Sequence, residues 1–242
     1  MKSRGVSICS SSVYNYLKLS NLKYQTPLKR ILINEVHKNK RFIWALEHKE
    51  FNWSNSIFTD ESTFYLYESK GPSWGYKNKR DIELKKTHPL KLNVWGCFSK
   101  NGFGKLYFFE EILESNLMIK IYKEALIPSI NMMFGDKNNQ CVVIEDNDPK
   151  HKSKICRNFK DQNSINVLPW PSNSPDLNPI ENVWGLLKLK IRAKQPRSII
   201  ALKRLINKEW KSFDNSYCEN LITSMENRIS SCIAAEGDYI CY

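Results

Sequence analysis

The chain has 242 residues, 41% hydrophobic and 26% charged, which is ordinary globular composition. Its 37 Lys and Arg against 25 Asp and Glu give a net charge of +12 and a pI of about 9.3, a surplus that favours a polyanionic partner without specifying a fold. Seven cysteines scattered singly, with no Cys-x-x-Cys, argue against a disulfide framework or a zinc ribbon and for a reducing intracellular compartment; no apolar run approaches the ~18 residues of a membrane span, and no signal peptide opens the chain.

Residues 1–50 carry ten cations against Glu35, Glu47 and Glu50. Ser10–Ser12 ahead of Val13, Tyr16 and Leu17 predicts a short capped helix, and Val36, Phe42, Trp44, Ala45 and Leu46 are partly periodic within a second one over 33–50. One short helix is not a helix-turn-helix, because the reading helix needs a supporting one; the start is either an arm or the end of a domain begun earlier. The β-branched and aromatic run 57–66 predicts a strand with Phe58, Asp60, Ser62 and Phe64 on one face and Glu61 on the other. An acid in the middle of a strand calls for something cationic to meet it. Residues 71–75 form a predicted turn and 77–86 a charged connection. Leu92–Phe98 and Lys105–Phe109, joined by Asn101–Gly104, predict a hairpin, giving three strands paired in sequence.

Ser115 caps a predicted helix bearing Leu117, Ile121, Tyr122, Ala125 and Leu126 on one face. A strand over 141–145, a helix over 153–162 and a short strand over 165–168 follow. Pro169, Pro171, Pro175 and Pro179 each fix a backbone angle and restrain the residue before, so this connection is stiff and sets the position of the next helix. That helix has the apolar face Ile180, Val183, Trp184, Leu187 and Ile191. Residues 185–212 carry nine cations against Glu209, and helical patterns over 198–213 and 217–235 end the chain. The order predicts an α/β fold: a mixed sheet of three antiparallel strands, then alternating β and α units, flanked by helices, with helical N- and C-terminal extensions.

Asp146 follows the strand 141–145, and open α/β sheets place ligands beyond the carboxyl ends of their strands. Glu145, Asp146 and Asp148 repel one another without a cation; an acidic solvated turn accounts for the same residues equally well. Glu181 is separated from Asp146 by 34 intervening residues and stands three after Asn178, a capping-box spacing worth ~1 kcal/mol that needs no catalysis. Against this, Glu181, Gly185, Lys188 and Arg192 form a polar stripe in which the glycine leaves room and the cations suit phosphates. Asp60 adds a third carboxylate. Three carboxylates with no Cys/His set suit Mg²⁺ or Mn²⁺, and two such ions ~4 Å apart activate a water or 3′-hydroxyl and stabilise the leaving oxygen in phosphodiester chemistry. Asn147 and His151 stand beside them, His151 placed to hydrogen-bond a phosphate or a carboxylate. Lys38, Lys40, Arg41, Lys190 and Lys194 are candidate DNA contacts, with Trp170, set between prolines, a candidate for stacking on DNA.

Four segments in register, 57–62, 94–99, 146–151 and 170–184, resemble the Tc branch of the Tc/mariner superfamily of DDE transposases, with its 34-residue Asp-to-Glu spacing. The resemblance implies an RNase H-like catalytic domain over 51–212, preceded by a basic helical segment over 1–50 and followed by a helical extension over 213–242. It implies cut-and-paste transposition with Asp60, Asp146 and Glu181 as catalytic metal ligands, Mg²⁺ with Mn²⁺ as substitute, and integration at TA targets. Double-stranded DNA, a homodimer in the active complex, no membrane and a nuclear location follow from the same resemblance. Such transposases carry two helix-turn-helix units, of which 1–24 resembles the end of the second, so an N-terminally truncated member is expected. His88–Lys91 replaces a glycine-rich run, and Glu145 stands where the family commonly has Gln. The second function class compatible with these residues is a catalytically inactive DNA-binding remnant.

Overall fold

Ser56–Tyr65 forms one long strand, β1, from which the sheet is laid out. The computed structural model describes residues 9–20, 32–66, 90–135 and 140–241. On one side β1 pairs antiparallel with β2 (Lys91–Ser99), and β2 pairs with β3 (Gly102–Phe103) and β4 (Tyr107–Phe109). On the other side β1 runs parallel to β5 (Val142–Ile144), which runs parallel to β6 (Val167–Leu168). The sheet order is β3-β2-β1-β5-β6, with β4 on β2. As the central strand, β1 is buried on both faces: Ile57 enters one core and Phe58 the other.

Phe58, Phe64 and Val94 face a layer built from α2 (Glu35–Glu47), α6 (Ile180–Lys194), α7 (Ile199–Trp210) and α8 (Asn215–Ala234). Ile57, Trp95, Cys97 and Val143 face α3 (Ser115–Ile121), α4 (Ile127–Phe134) and α5 (Lys154–Gln162). Asn34, Ser153, Ser198 and Asp214 each cap a helix through a side-chain oxygen. The expected serine caps fail: Ser10 and Ser115 are the first residues of their helices, and the residues at the cap positions, Cys9 and Glu114, make no side-chain capping bond. The remaining helix, α1 (Ser10–Leu19), belongs to a separate unit, residues 1–32, and buries none of its residues. The other unit runs from Ile33 to Tyr242. The expected divisions at 50/51 and 212/213 thus fall inside it, because α2 and α8 pack on each other and share the core of the sheet.

Two local differences from the sequence reading have physical causes. The predicted strand 105–109 begins only at Tyr107, and part of the predicted turn before it, Gly102–Phe103, pairs as β3. Gly104 donates to the Cys97 carbonyl (2.8 Å), accepts from Trp210 Nε1 (2.8 Å), and a Cβ there would run into Cys97 Sγ and Ser129 Oγ. Those tertiary contacts take the chain out of the ladder between β3 and β4. The predicted helix from Ser115 is one element with a π-turn at Tyr122–Leu126 between α3 and α4. Pro128 offers no N–H to the turn before it, and the helix widens there. The predicted turn at 71–75, the connection 77–86 and the His88–Pro89 replacement lie outside the described residues.

Candidate active site

Asp60 lies in the middle of β1, opposite Gly96 of β2. A Cβ on Gly96 would stand 2.8 Å from Trp184 and 3.0 Å from Trp210, so the missing side chain lets these two stacked indoles (5.2 Å between centroids) sit on the sheet beside Asp60. Trp184 fixes α6, and Glu181, one turn earlier, is thereby carried over Asp60. Asp146 follows β5, which is parallel to β1, and so emerges beside Asp60 as well. Topology thus brings together residues separated by 85 and 34 intervening positions.

The charges record this convergence. Removal from water, then the charges of Glu181, Glu61 and Asp146, push the Asp60 carboxyl well above the usual carboxylate range. Glu181 has exposed surface, yet crowding by neighbouring atoms raises its carboxyl, against the pull of the Lys188 ammonium. Its side chain makes no capping bond. Asn178 Oδ1 accepts from Ile180 N (3.3 Å), so the helix start is served without Glu181. Among the described residues no three His, Cys, Asp or Glu side chains are gathered tightly enough to hold a metal ion. The acids interact, but they do not form a closed cage.

Asp146 is held from one side. Its Oδ1 accepts from Asp148 N (2.9 Å) and lies 3.3 Å from His151 Nε2. His151 is buried, and burial lowers its pKa to about 4, so the ring is neutral. Its Nδ1 lies 2.9 Å from the Tyr122 hydroxyl, which donates to Glu145 Oε2 (2.7 Å). The Lys160 ammonium ion-pairs with Glu145 Oε1 and donates to the His151 carbonyl (3.0 Å). The charge of Glu145, which a Gln would lack, is therefore neutralised inside the protein. Glu61, on the opposite face of β1 from Asp60, lies 3.7 Å from His151 Nε2 and 3.8 Å from Lys150 Nζ, and burial raises its pKa to about 7.

The other predicted residues divide. Asn147 Nδ2 donates to the Trp170 carbonyl and to Ser172 (3.3 Å), tying the acidic turn to the proline connection. Around Gly185 the space is open, and Lys188 Nζ stands 5.8 Å from the Phe64 ring centroid. Arg192 is half-buried on α6. Lys40 is exposed, Lys38 pairs with Glu35 and Asp238, and Lys190 and Lys194 both engage Glu209. Two expectations fail. Trp170 is buried against Trp44 (4.8 Å between centroids), Trp53 and Phe58, so no base can stack on it. Arg41 is fully buried and forks onto Asp176 (2.8 and 2.6 Å), so it is a core cation and not a DNA contact.

Glu61, Tyr122, Lys160 and Asp176 escaped the sequence reading. Lys160 left one trace: it falls four residues after the buried Cys156 and beside Phe159, where an apolar side chain belongs, and a lysine there calls for a buried acid.

Beyond the geometry, the DDE superfamily endonuclease profile matches residues 55–205, and a Transposase profile matches residues 1–50. The chain belongs to the Tc/mariner superfamily of DDE transposases. It is similar to the Tc1 transposase of Caenorhabditis elegans, 30% identical over 236 residues that cover 93% of this chain and 85% of that protein. It is also similar to the Tc3 transposase of the same organism, 27% identical over 98% of this chain and 73% of that protein. Among solved structures it superposes on the Mos1 mariner paired-end complex with Mn at a TM-score of 0.80 and 15% identity, covering 97% of this chain and 72% of that one. It superposes on the Mos1 catalytic domain at 0.71 and 16%, covering 88% and 100%. The sheet is RNase H-like, and residues 55–205 form the endonuclease domain of a DNA transposase.

Proposed function

We propose that this transposase cuts and rejoins duplex DNA by metal-dependent phosphodiester chemistry, with Asp60, Asp146 and Glu181 as the ligands. The supporting observation is the convergence of the Glu181 and Asp146 charges on Asp60. A buried Asp60 carboxyl raised by burial and by the charges of Glu181, Glu61 and Asp146 is a donor that a hard cation relieves, and oxygen donors without Cys or His suit Mg²⁺ or Mn²⁺. A pair of such ions supplies Lewis-acid stabilisation to the attacking and leaving oxygens. Asp60 on β1 and Asp146 in the loop just beyond the parallel β5 hold one side of the site. Glu181 closes it from the start of α6, and Lys188 offers a positive charge to a phosphate.

Water oxygen attacks phosphorus at the element's end and the 3′-oxygen leaves with a proton; the freed 3′-hydroxyl then attacks a target phosphate, giving up its proton, and the target's own 3′-oxygen departs, so that the element's 3′ end is joined to the target's 5′-phosphate. A groove of about 600 Å³ lies at the carboxyl ends of β5 and β6, lined by Asp146, Asn147, His151, Lys152 and Arg157, and it suits a strand entering beside Asp146. Transposon ends and a TA target are the DNA partners of this reading. A homodimer bridging two ends is in keeping with the paired-end complex of Mos1, and a nuclear location with work on chromosomal DNA. Among the described residues no helix is long and apolar enough to cross a membrane.

The test is strand nicking and joining of linear duplex with Mn²⁺ or Mg²⁺, beside Asp146→Asn. Wild type is expected to exceed the variant by at least about a thousandfold, the scale of removing a metal-held transition-state contact. Equal product from both, with both shifting DNA in a gel, identifies a DNA-binding protein without catalysis.

A further inference from the structure

We propose that Lys160, with Tyr122, is a positioning residue for Asp146: it locks the loop of residues 145–151 so that the Asp146 carboxylate is fixed relative to Asp60. This rests on the reading of Asp146 as a metal ligand. The loop begins at Glu145 and ends at His151, and Lys160 of α5 grips both ends. Its ammonium pairs with the Glu145 carboxylate and donates to the His151 carbonyl at 3.0 Å. Tyr122 makes a second tie between the same two residues, 2.7 Å to Glu145 Oε2 and 2.9 Å to His151 Nδ1. Within the closed loop His151 Nε2 stands 3.3 Å from Asp146 Oδ1. Glu145, His151 and Lys160 are all buried, so each pairing is shielded from water, while the Asp146 side chain remains half exposed.

The π-turn adds a reason for the position of Tyr122. It begins at that residue, on the helix that packs against α5. Widened turns of this kind re-aim side chains and recur at functional sites. The lysine also belongs with this chain's Glu145: a buried carboxylate one residue from Asp146 would repel a cationic site's other acids less only if neutralised, and Lys160 neutralises it. Structural support and positioning make different demands. Neutralisation requires only that the two charges match. Positioning requires the ties to both ends of the loop.

Mn²⁺ titration calorimetry and thermal melting on the purified full chain separate them, with Asp146→Asn as the reference for lost binding. Lys160→Met is expected to lower both melting temperature and Mn²⁺ affinity. Glu145→Gln/Lys160→Met removes the stranded charge and is expected to melt near wild type, yet to bind Mn²⁺ at least about tenfold more weakly, the scale found when partners that orient a metal's ligands are removed. Tyr122→Phe, which deletes one hydroxyl, is expected to melt as wild type and to weaken Mn²⁺ binding severalfold. Recovery of Mn²⁺ affinity together with melting temperature in the double variant would overturn the proposal, leaving Lys160 a charge partner only. Wild type binding Mn²⁺ no better than Asp146→Asn would overturn the metal reading itself, and this proposal with it.

Discussion

Asp60→Asn is expected to make the metal-free protein more stable at neutral pH while reducing strand cleavage by about a thousandfold or more. The two effects have one origin. The Asp60 carboxyl is raised well above its ordinary value by burial and by Glu181, Glu61 and Asp146. For an acid raised in the folded state, stability is present below the unfolded value and is lost as pH rises through the folded one. At pH 7, well above the unfolded value, Asp60 therefore works against the fold, as a buried charge or through the proton the folded state must take up, and a neutral amide of the same shape removes that cost. Each kcal/mol recovered corresponds to about 2–4 °C of melting temperature in a chain of this size. Glu61, raised from 4.5 to about 7, has the same sign, so a fall in stability that runs from about pH 4.5 up to about pH 7 and then levels off is expected to persist in Asp60→Asn. Melting curves in chelator between pH 5 and 8 check both statements. A variant less stable than wild type at pH 7 contradicts the first.

Arg41→Met is expected to cost about 3–5 kcal/mol, because it strands a buried carboxylate. Arg41 and Asp176 are both fully enclosed and joined by two hydrogen bonds. Arg41 also donates through Nε to the Gly237 carbonyl (2.8 Å) and through Nη2 to that of Asp238 (3.2 Å), while Ile240 N donates to Asp176 Oδ2 (2.9 Å). The pair thus ties α2, the proline connection and the C-terminal segment together, five residues before Glu181. Asp176→Leu in the Arg41→Met background is expected to recover part of the loss, though not the bond to Ile240. A drop below about 1 kcal/mol in the single variant, read by thermal melting, contradicts a buried and coupled pair.

This pair also shows where local sequence stops informing. Arg41 sits in a basic segment and reads as a phosphate contact, while its partner lies 135 positions away, beyond any periodicity. Trp170 reads as exposed because prolines flank it, and three aromatic rings from three other segments decide otherwise. The elements that were legible carry their own causes: β-branched runs for β1 and β2, serine or aspartate caps for α5, α7 and α8. Asp146 and Glu181 drew notice through a strand end and a spacing, Asp60 through its place in the middle of a strand, and the structure brings the charges of the first two to bear on Asp60. The polar ties behind Asp146 were not, since Tyr122 looks like an apolar-face aromatic and Lys160 like another surface cation.

The central claim is that Asp60, Asp146 and Glu181 share one cation site. Anomalous scattering at the manganese edge, from crystals of the wild-type chain grown with Mn²⁺ and DNA, tests it most directly. The account predicts a Mn²⁺ peak within coordination distance, about 2–2.5 Å, of oxygens from both Asp60 and Asp146, with Glu181 turned toward it. Manganese bound elsewhere while these carboxylates stay more than about 10 Å apart would contradict it.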